Sequence, residues 1–379
     1  MARDRSSFSP ALRILAENVS ILPATGGAVE DLQRPDAEEV EDAETRAADG
    51  DVQAIGETDP AGDPLSYVCT PPRPRRECHL FRYFIDGSLR TYFIATGIQQ
   101  GRTFPIELAQ IGSACVFRRD DGRIRTHARR QRIIFLAPKG PDGLSDDVWD
   151  AMEKALQGVS DFELRDTSQH GREGGRRTDP RTHAGGIARR AMHKLEVEII
   201  DSTDASDPPR GENTWAILDG GIRLGEFIDK PHLLAVAKSF DKSVRFFFGR
   251  KPRERFDITR LLKDLPPGHR TCAFFSDAQK RVVFWYVRLW DKIELDYPLM
   301  GVLKLEIGRP DQTPGDSDLI NRLSSCIAAE KAVTPYGKDN RWHCHLYPIY
   351  CAEHAIKSNF ISHEALMGQI RWPQPASPG

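Results

Sequence analysis

Along most of the chain, apolar residues come in short runs separated by Gly, Pro and Asp. Runs at 81–85, 92–95, 131–137, 215–218, 271–275, 281–290 and 300–307 are rich in aromatic and β-branched residues, which predicts strands. Between them, apolar spacing near 3.6 residues predicts helices over 146–157, 186–200, 318–331 and 350–370. In the second of these, Ala188, Ala191, Met192, Leu195 and Ile199 make one apolar stripe. Strands, then alternating helices and strands, then a helical C-terminal stretch predict an α/β fold. Residues 1–75 lack this order, and Thr70-Pro71-Pro72-Arg73-Pro74-Arg75-Arg76 reads as a linker. The main domain then spans 76–372, with 239–300 interrupting the alternation as an inserted segment. No internal repeat is visible.

Composition narrows the class. At 379 residues, 39% of them hydrophobic, the chain can bury a sizeable core and suits two to three domains. Val282-Val283-Phe284-Trp285-Tyr286-Val287 is among the longest apolar runs, far short of the roughly 18–20 residues of a membrane span. The N-terminus shows no apolar signal core. Seven cysteines, none in a C-x-x-C pair, argue against a disulfide framework or a zinc ribbon. The expectation is a soluble cytoplasmic protein without a membrane partner.

Charge is unevenly placed. Residues 30–63 hold 13 acidic and two basic residues, a local −11; the chain's net −2 therefore leaves +9 on the rest. The acidic stretch has few aromatics and reads as a flexible arm. Arg118, Arg119, Arg123, Arg125, Arg129, Arg130 and Arg132 form one basic cluster. Arg172, Arg176, Arg177, Arg181, Arg189 and Arg190 form another, partly in a Gly-rich loop. Guanidinium forks suit phosphates, so a polyanion such as DNA is the partner these clusters predict. The plain alternative is a pair of solvated faces.

Two aspartates end apolar strands and precede glycine: Asp86 in Phe84-Ile85-Asp86-Gly87-Ser88 and Asp219 in Ala216-Ile217-Leu218-Asp219-Gly220-Gly221. Asp-Gly is also a hairpin signal, and Asp121-Gly122 among the arginines reads as such a turn. Strand ends on one edge of an α/β sheet gather polar groups from distant sequence. Two such carboxylates repel unless a hard divalent cation, Mg²⁺ or Mn²⁺, holds them. On the preceding helix, Glu196 falls about 70° from the stripe's centre and Glu198 about 90°, so Glu196 is the better third acid.

These residues resemble a family. Asp86-Gly87-Ser88 resembles the first motif of the NurA nucleases, and Trp215-Ala216-Ile217-Leu218-Asp219-Gly220-Gly221 their second Asp-Gly strand. Ala235-Val236-Ala237-Lys238-Ser239 is similar to a lysine motif that follows, and Leu346-Tyr347-Pro348 with Ala352-Glu353-His354-Ala355 to the C-terminal motif. The four fall in order over about 80–365, although Gly221 stands where serine is more usual and the last spacing is a residue short. The resemblance implies an RNase H-like mixed sheet flanked by helices and a homodimeric, Mn²⁺-dependent (or Mg²⁺-dependent) DNA exonuclease and endonuclease. It also implies a hexameric HerA-type translocase as partner, in end processing or defence against foreign DNA. On this reading Asp86, Glu196, Asp219 and His354 hold metal and Lys238 places charge on phosphate. Arg129, Arg130, Arg176, Arg177 and Arg181 grip the backbone. A non-catalytic DNA-binding subunit and a ribonuclease with the same metals are the alternatives. His343, Cys344, His345, Cys351 and His354 suit zinc chemically but match no common finger spacing.

Overall fold

In the computed structural model, the described residues are 9–24, 52–54, 66–74, 80–157, 159, 161–169, 179–242, 244–247, 255–276, 281–291, 297–309, 316–331, 342–370 and 372. The longer strands are β1 (Phe81–Gln99), β2 (Arg102–Arg118), β3 (Ile124–Ala137) and β4 (Phe162–Asp166). They continue with β5 (Trp215–Asp219), β6 (Leu233–Ala237), β7 (Val282–Arg288) and β8 (Val302–Gly308). The longer helices are α1 (Ser9–Asn18), α2 (Asp146–Leu156), α3 (Pro180–Asp204), α4 (Ser317–Ala329), α5 (Tyr347–Lys357) and α6 (His363–Gln369).

These strands lie in one mixed sheet in the order β7-β8-β6-β5-β1-β2-β3-β4. β1, β2 and β3 form an antiparallel ribbon, whereas β5 runs parallel to β1 and β6 parallel to β5. The β1–β2 hairpin turns on Gln100 (φ 51°) and Gly101 (φ 78°), both left-handed as a tight two-residue hairpin requires. Asp121-Gly122 is indeed a turn: Gly122 N–H donates to the Arg119 carbonyl at the β2–β3 corner. The parallel step to β5 needs a long crossover, which α3 supplies. Pro180 starts that helix, and the Asp179 carboxylate accepts from the Arg181 and Thr182 amides.

Helices cover both sheet faces. On one, α3 lays Ala188, Leu195 and Ile199 against the ribbon and β5. On the other, α4 and α5 pack on Phe84, Ile217, Val236, Trp285 and Leu305, while α1, α2 and α6 cover the far end of the ribbon. Among the described residues, no helix is long and apolar enough to cross a membrane.

Several expectations need correction. The predicted strands 81–85 and 92–95 are one continuous β1. β2 was not predicted: buried on both faces, it shows no alternation. The helix expected over 350–370 is two, because the chain turns at 358–362 and Ser362 Oγ accepts from Ala365 N–H to cap α6. Residues 1–75 are not simply a flexible arm. Ala11, Leu12 and Leu15 bury one face of α1 in the layer that holds α2, and Ser20–Pro23 pairs with β1. Val52–Ala54 and Val68–Cys69 also pair into the sheet. Most of the acidic stretch lies outside the described residues. Described parts of the expected insertion at 239–300 join the sheet as well: β7 pairs with β8, and the short strands Phe274–Ser276, Arg245–Phe247 and Arg255–Asp257 extend beyond it.

Candidate active site

Strand register brings the two Asp-Gly aspartates together. β1 and β5 run parallel with Ile85 opposite Leu218, so Asp86 and Asp219 come next on adjacent strands. Side chains alternate along a strand, so both carboxylates share the face of Phe84 and Ile217, under α4 and α5. In the next pair Asp219 lies opposite Val236, which leaves Lys238 just past the end of β6. Its Nζ stands 2.8 Å from Asp219 Oδ2.

The site is rich in negative charge. Asp86 is buried, and burial together with the charge of Asp219 pushes its carboxyl well above the usual aspartate range. Glu353 and Glu196 push the same way, and Lys238 opposes them. Burial works against the Lys238 charge too, but Asp219, Asp86 and Glu353 outweigh it and hold the ammonium more firmly protonated than usual. Three carboxyl groups, Asp219, Asp86 and Glu353, thus act on one cation.

Glu196 approaches from the α3 face. It is 1% exposed, and its Oε2 sits 2.7 Å from His193 Nδ1. A Cβ at position 87 would fall 2.6 Å from Glu196 Oε1 and 2.9 Å from the Met192 sulfur, so the glycine after Asp86 is what admits the glutamate. Glu198, the weaker candidate, pairs with Arg132 at the surface. The glycines after Asp219 have another purpose. Gly220 takes φ +102°, and the following Ile222 N–H donates to buried Glu306 at 2.6 Å.

At the C-terminal motif, the residue facing the aspartates is Glu353 rather than His354. His354 is exposed and its ring lies parallel to that of Tyr350, whereas Glu353 bonds Lys357 and acts on Asp86. The sequence offered a faint signal: Glu353 follows core residue Ala352 by one position, at the side of the helix rather than its outer face. Glu306 and His193 were missed because their partners come from other elements or from an unremarkable helical neighbour.

The proposed DNA contacts divide. Arg129 and Arg130 are exposed on β3, and Arg129 lies in the register row of Ala114 and Asp86. Arg181 is a correction: its Nε lies 3.1 Å from buried Glu107 and its guanidinium 4.7 Å from the Phe93 ring centre, so it fastens α3 to the sheet. Arg118 similarly makes a buried two-point pair with Glu330 at 2.5 and 2.6 Å. Arg176 and Arg177 lie outside the described residues.

Among the described residues, no three His, Cys, Asp or Glu side chains already form a metal-holding group; an ammonium stands among the acids. No protein-family model matches the chain, and no curated protein matches it.

Proposed function

We propose that this chain is a metal-dependent DNA nuclease with an RNase H-like core, of the kind the NurA resemblance implies. The observation that carries this reading is Asp86 and Asp219 on adjacent parallel strands, in a site where burial and neighbouring acids make Asp86 costly to ionise. The order β3-β2-β1-β5-β6, antiparallel through the first three and parallel onward, supports the fold.

The donor set suits a hard divalent cation. Asp86, Asp219 and Glu353 offer carboxylate oxygen, which Mn²⁺ and Mg²⁺ prefer. Glu196 adds charge from the other face of β1. A bound cation supplies charge stabilisation at the scissile phosphate and lowers the proton affinity of the attacking water. Lys238, released from Asp219, carries a point charge to the phosphate. His193 holds the Glu196 carboxylate in place, and Arg129 and Arg130 grip the backbone without reading sequence.

Incubation of linear DNA with the protein and Mn²⁺ should give cleavage that chelator stops and Asp86→Asn lowers by about 10²–10³-fold. Cleavage unchanged in Asp86→Asn contradicts the site. A second reading, a non-catalytic DNA-binding subunit, is favoured by the Lys238–Asp219 pair, which already neutralises one acid. DNA retention without cleavage in any divalent ion would establish it. Homodimerisation and pairing with a HerA-type ATPase rest on the resemblance alone, and co-purification with such a translocase tests the pairing.

A further inference from the structure

The acid site carries a cation of its own. Lys238 directly follows β6, whose five residues are all buried, so the strand delivers the lysine to the sheet edge where Asp86 and Asp219 stand. Its Nζ lies 2.8 Å from Asp219 Oδ2, and the two side chains are only 16% and 17% exposed. A lysine so far withdrawn from water keeps its charge only against anions. Asp219, Asp86 and Glu353 supply them and outweigh the effect of burial. Neighbouring lysines are engaged differently. Lys304 bonds buried Glu306 at 2.7 Å, and Lys357 meets Glu353 in a pair that faces solvent, where ion pairs contribute little.

We propose that Lys238 is a built-in competitor for the metal position: its ammonium serves as the counter-ion of Asp219 until a cation displaces it, and so sets the affinity and the charge that cation must have. The proposal rests on the nuclease reading and deepens it by naming what controls metal loading at the same site. Asp219 cannot bind an incoming ion and keep the ammonium at full strength, because two cations on one carboxylate repel each other. A monovalent ion offers Asp219 no more charge than the ammonium it would replace. A divalent ion offers twice as much, and offers it to Asp86 as well, so Lys238 excludes the first and yields to the second. Once displaced, the ammonium swings on a flexible four-carbon stem and is free to meet a phosphate.

Calorimetric titration of Mn²⁺ into the full chain reads this competition without any cleavage. Wild type is compared with Lys238→Met, Lys238→Arg and Lys230→Met. Lys230 pairs with Asp201 ahead of β6, at the opposite end of that strand from Lys238, and controls for the loss of one positive charge. Lys238→Met should bind Mn²⁺ at least about tenfold more tightly than wild type, the scale on which groups beside metal ligands alter affinity. Lys238→Arg, which keeps the charge, and Lys230→Met should bind as wild type. Thermal melting should show a larger Mn²⁺-induced rise for Lys238→Met than for wild type. Where Lys238→Met does not fold, Lys238→Gln, which keeps an N–H donor for Asp219, takes its place with the same expectation. Equal Mn²⁺ affinity of wild type and the uncharged variant overturns the competitor and leaves the metal site standing. Weaker or absent binding by that variant also overturns it, as does equal tightening in Lys230→Met. Tighter binding by Lys238→Met in a protein whose wild type never cleaves DNA overturns the nuclease reading and leaves the competitor in place.

Discussion

Asp86 and Glu306 are both buried carboxylates on the same sheet, and their surroundings push them in opposite directions. Burial raises the proton affinity of each. For Glu306 this is more than offset by Lys304, 2.7 Å away, and by the Ile222 N–H, so its carboxyl sits below the usual glutamate range. For Asp86 the neighbours are mainly further acids, and its carboxyl sits well above the aspartate range. Burial alone therefore does not mark a functional group. Glu306 is a satisfied structural anion that pins the turn after Asp219. Asp86 is left short of positive charge, and a site in that condition has a use for a cation.

Substitution should separate the two roles most strongly in activity. Asp86→Asn should lower cleavage by about 10²–10³-fold, as for loss of a group that stabilises transition-state charge. Its stability should hold or rise, because the costly anion is gone. Glu306→Gln should keep most activity and lose about 2 kcal/mol of stability, as when a hydrogen bond to a charged group is removed. Denaturant unfolding with a cleavage assay on both variants reads the contrast, and similar profiles would erase it.

Adjacent glycines sharpen the comparison at smaller scale. Gly87→Ala must displace Glu196 or Met192, since its Cβ would lie 2.6 Å from the carboxylate oxygen, and should cost about 1–3 kcal/mol. Gly221→Ala meets Glu306 Oε2 at 3.0 Å and should cost less, because the neighbour has only a few tenths of an ångström to yield. Melting temperatures in the reverse order would contradict these contacts.

Opposite shifts also predict opposite pH dependence. With its folded pKa lowered, Glu306 contributes stability above the ordinary glutamate range that is lost as pH falls through the folded pKa. With its folded pKa raised, Asp86 contributes stability below the ordinary aspartate range that is lost as pH rises through the folded pKa. Glu306→Gln should flatten the acid limb of the stability curve and Asp86→Asn the loss on rising pH. Unfolding free energies across the acid-to-neutral range check both signs. The smallest expected effect distinguishes neighbours on α5: Glu353→Gln should raise the metal concentration needed for cleavage, and His354→Gln should not.

Much of this was legible because it depends on local pattern. The stripe on α3, the strand-end aspartates and the Asp121-Gly122 turn follow from spacing and residue type. The angle of Glu196 on the helix marked it as nearer the sheet than Glu198, but did not show that it lies on the face of β1 opposite Asp86 or that His193 is its partner. What failed to show depends on tertiary covering. β2 is buried on both faces and carries Glu107, Gln110 and Ser113 inside, so it gives no strand alternation. α1 is short and its apolar face has meaning only against the layer of α2. Arg181 looked like a phosphate ligand because nothing local announces that Glu107, 74 residues earlier, lies beneath it. Likewise the motif resemblance pointed to His354 over Glu353, whereas the helix turn decides which of the two lies nearer the sheet.

Calorimetric titration of Mn²⁺ into wild type, Asp86→Asn and Glu306→Gln tests the central claim most directly. The account predicts saturable binding to wild type and to Glu306→Gln, and its loss in Asp86→Asn. Equal binding to wild type and Asp86→Asn, or none to wild type, would contradict it.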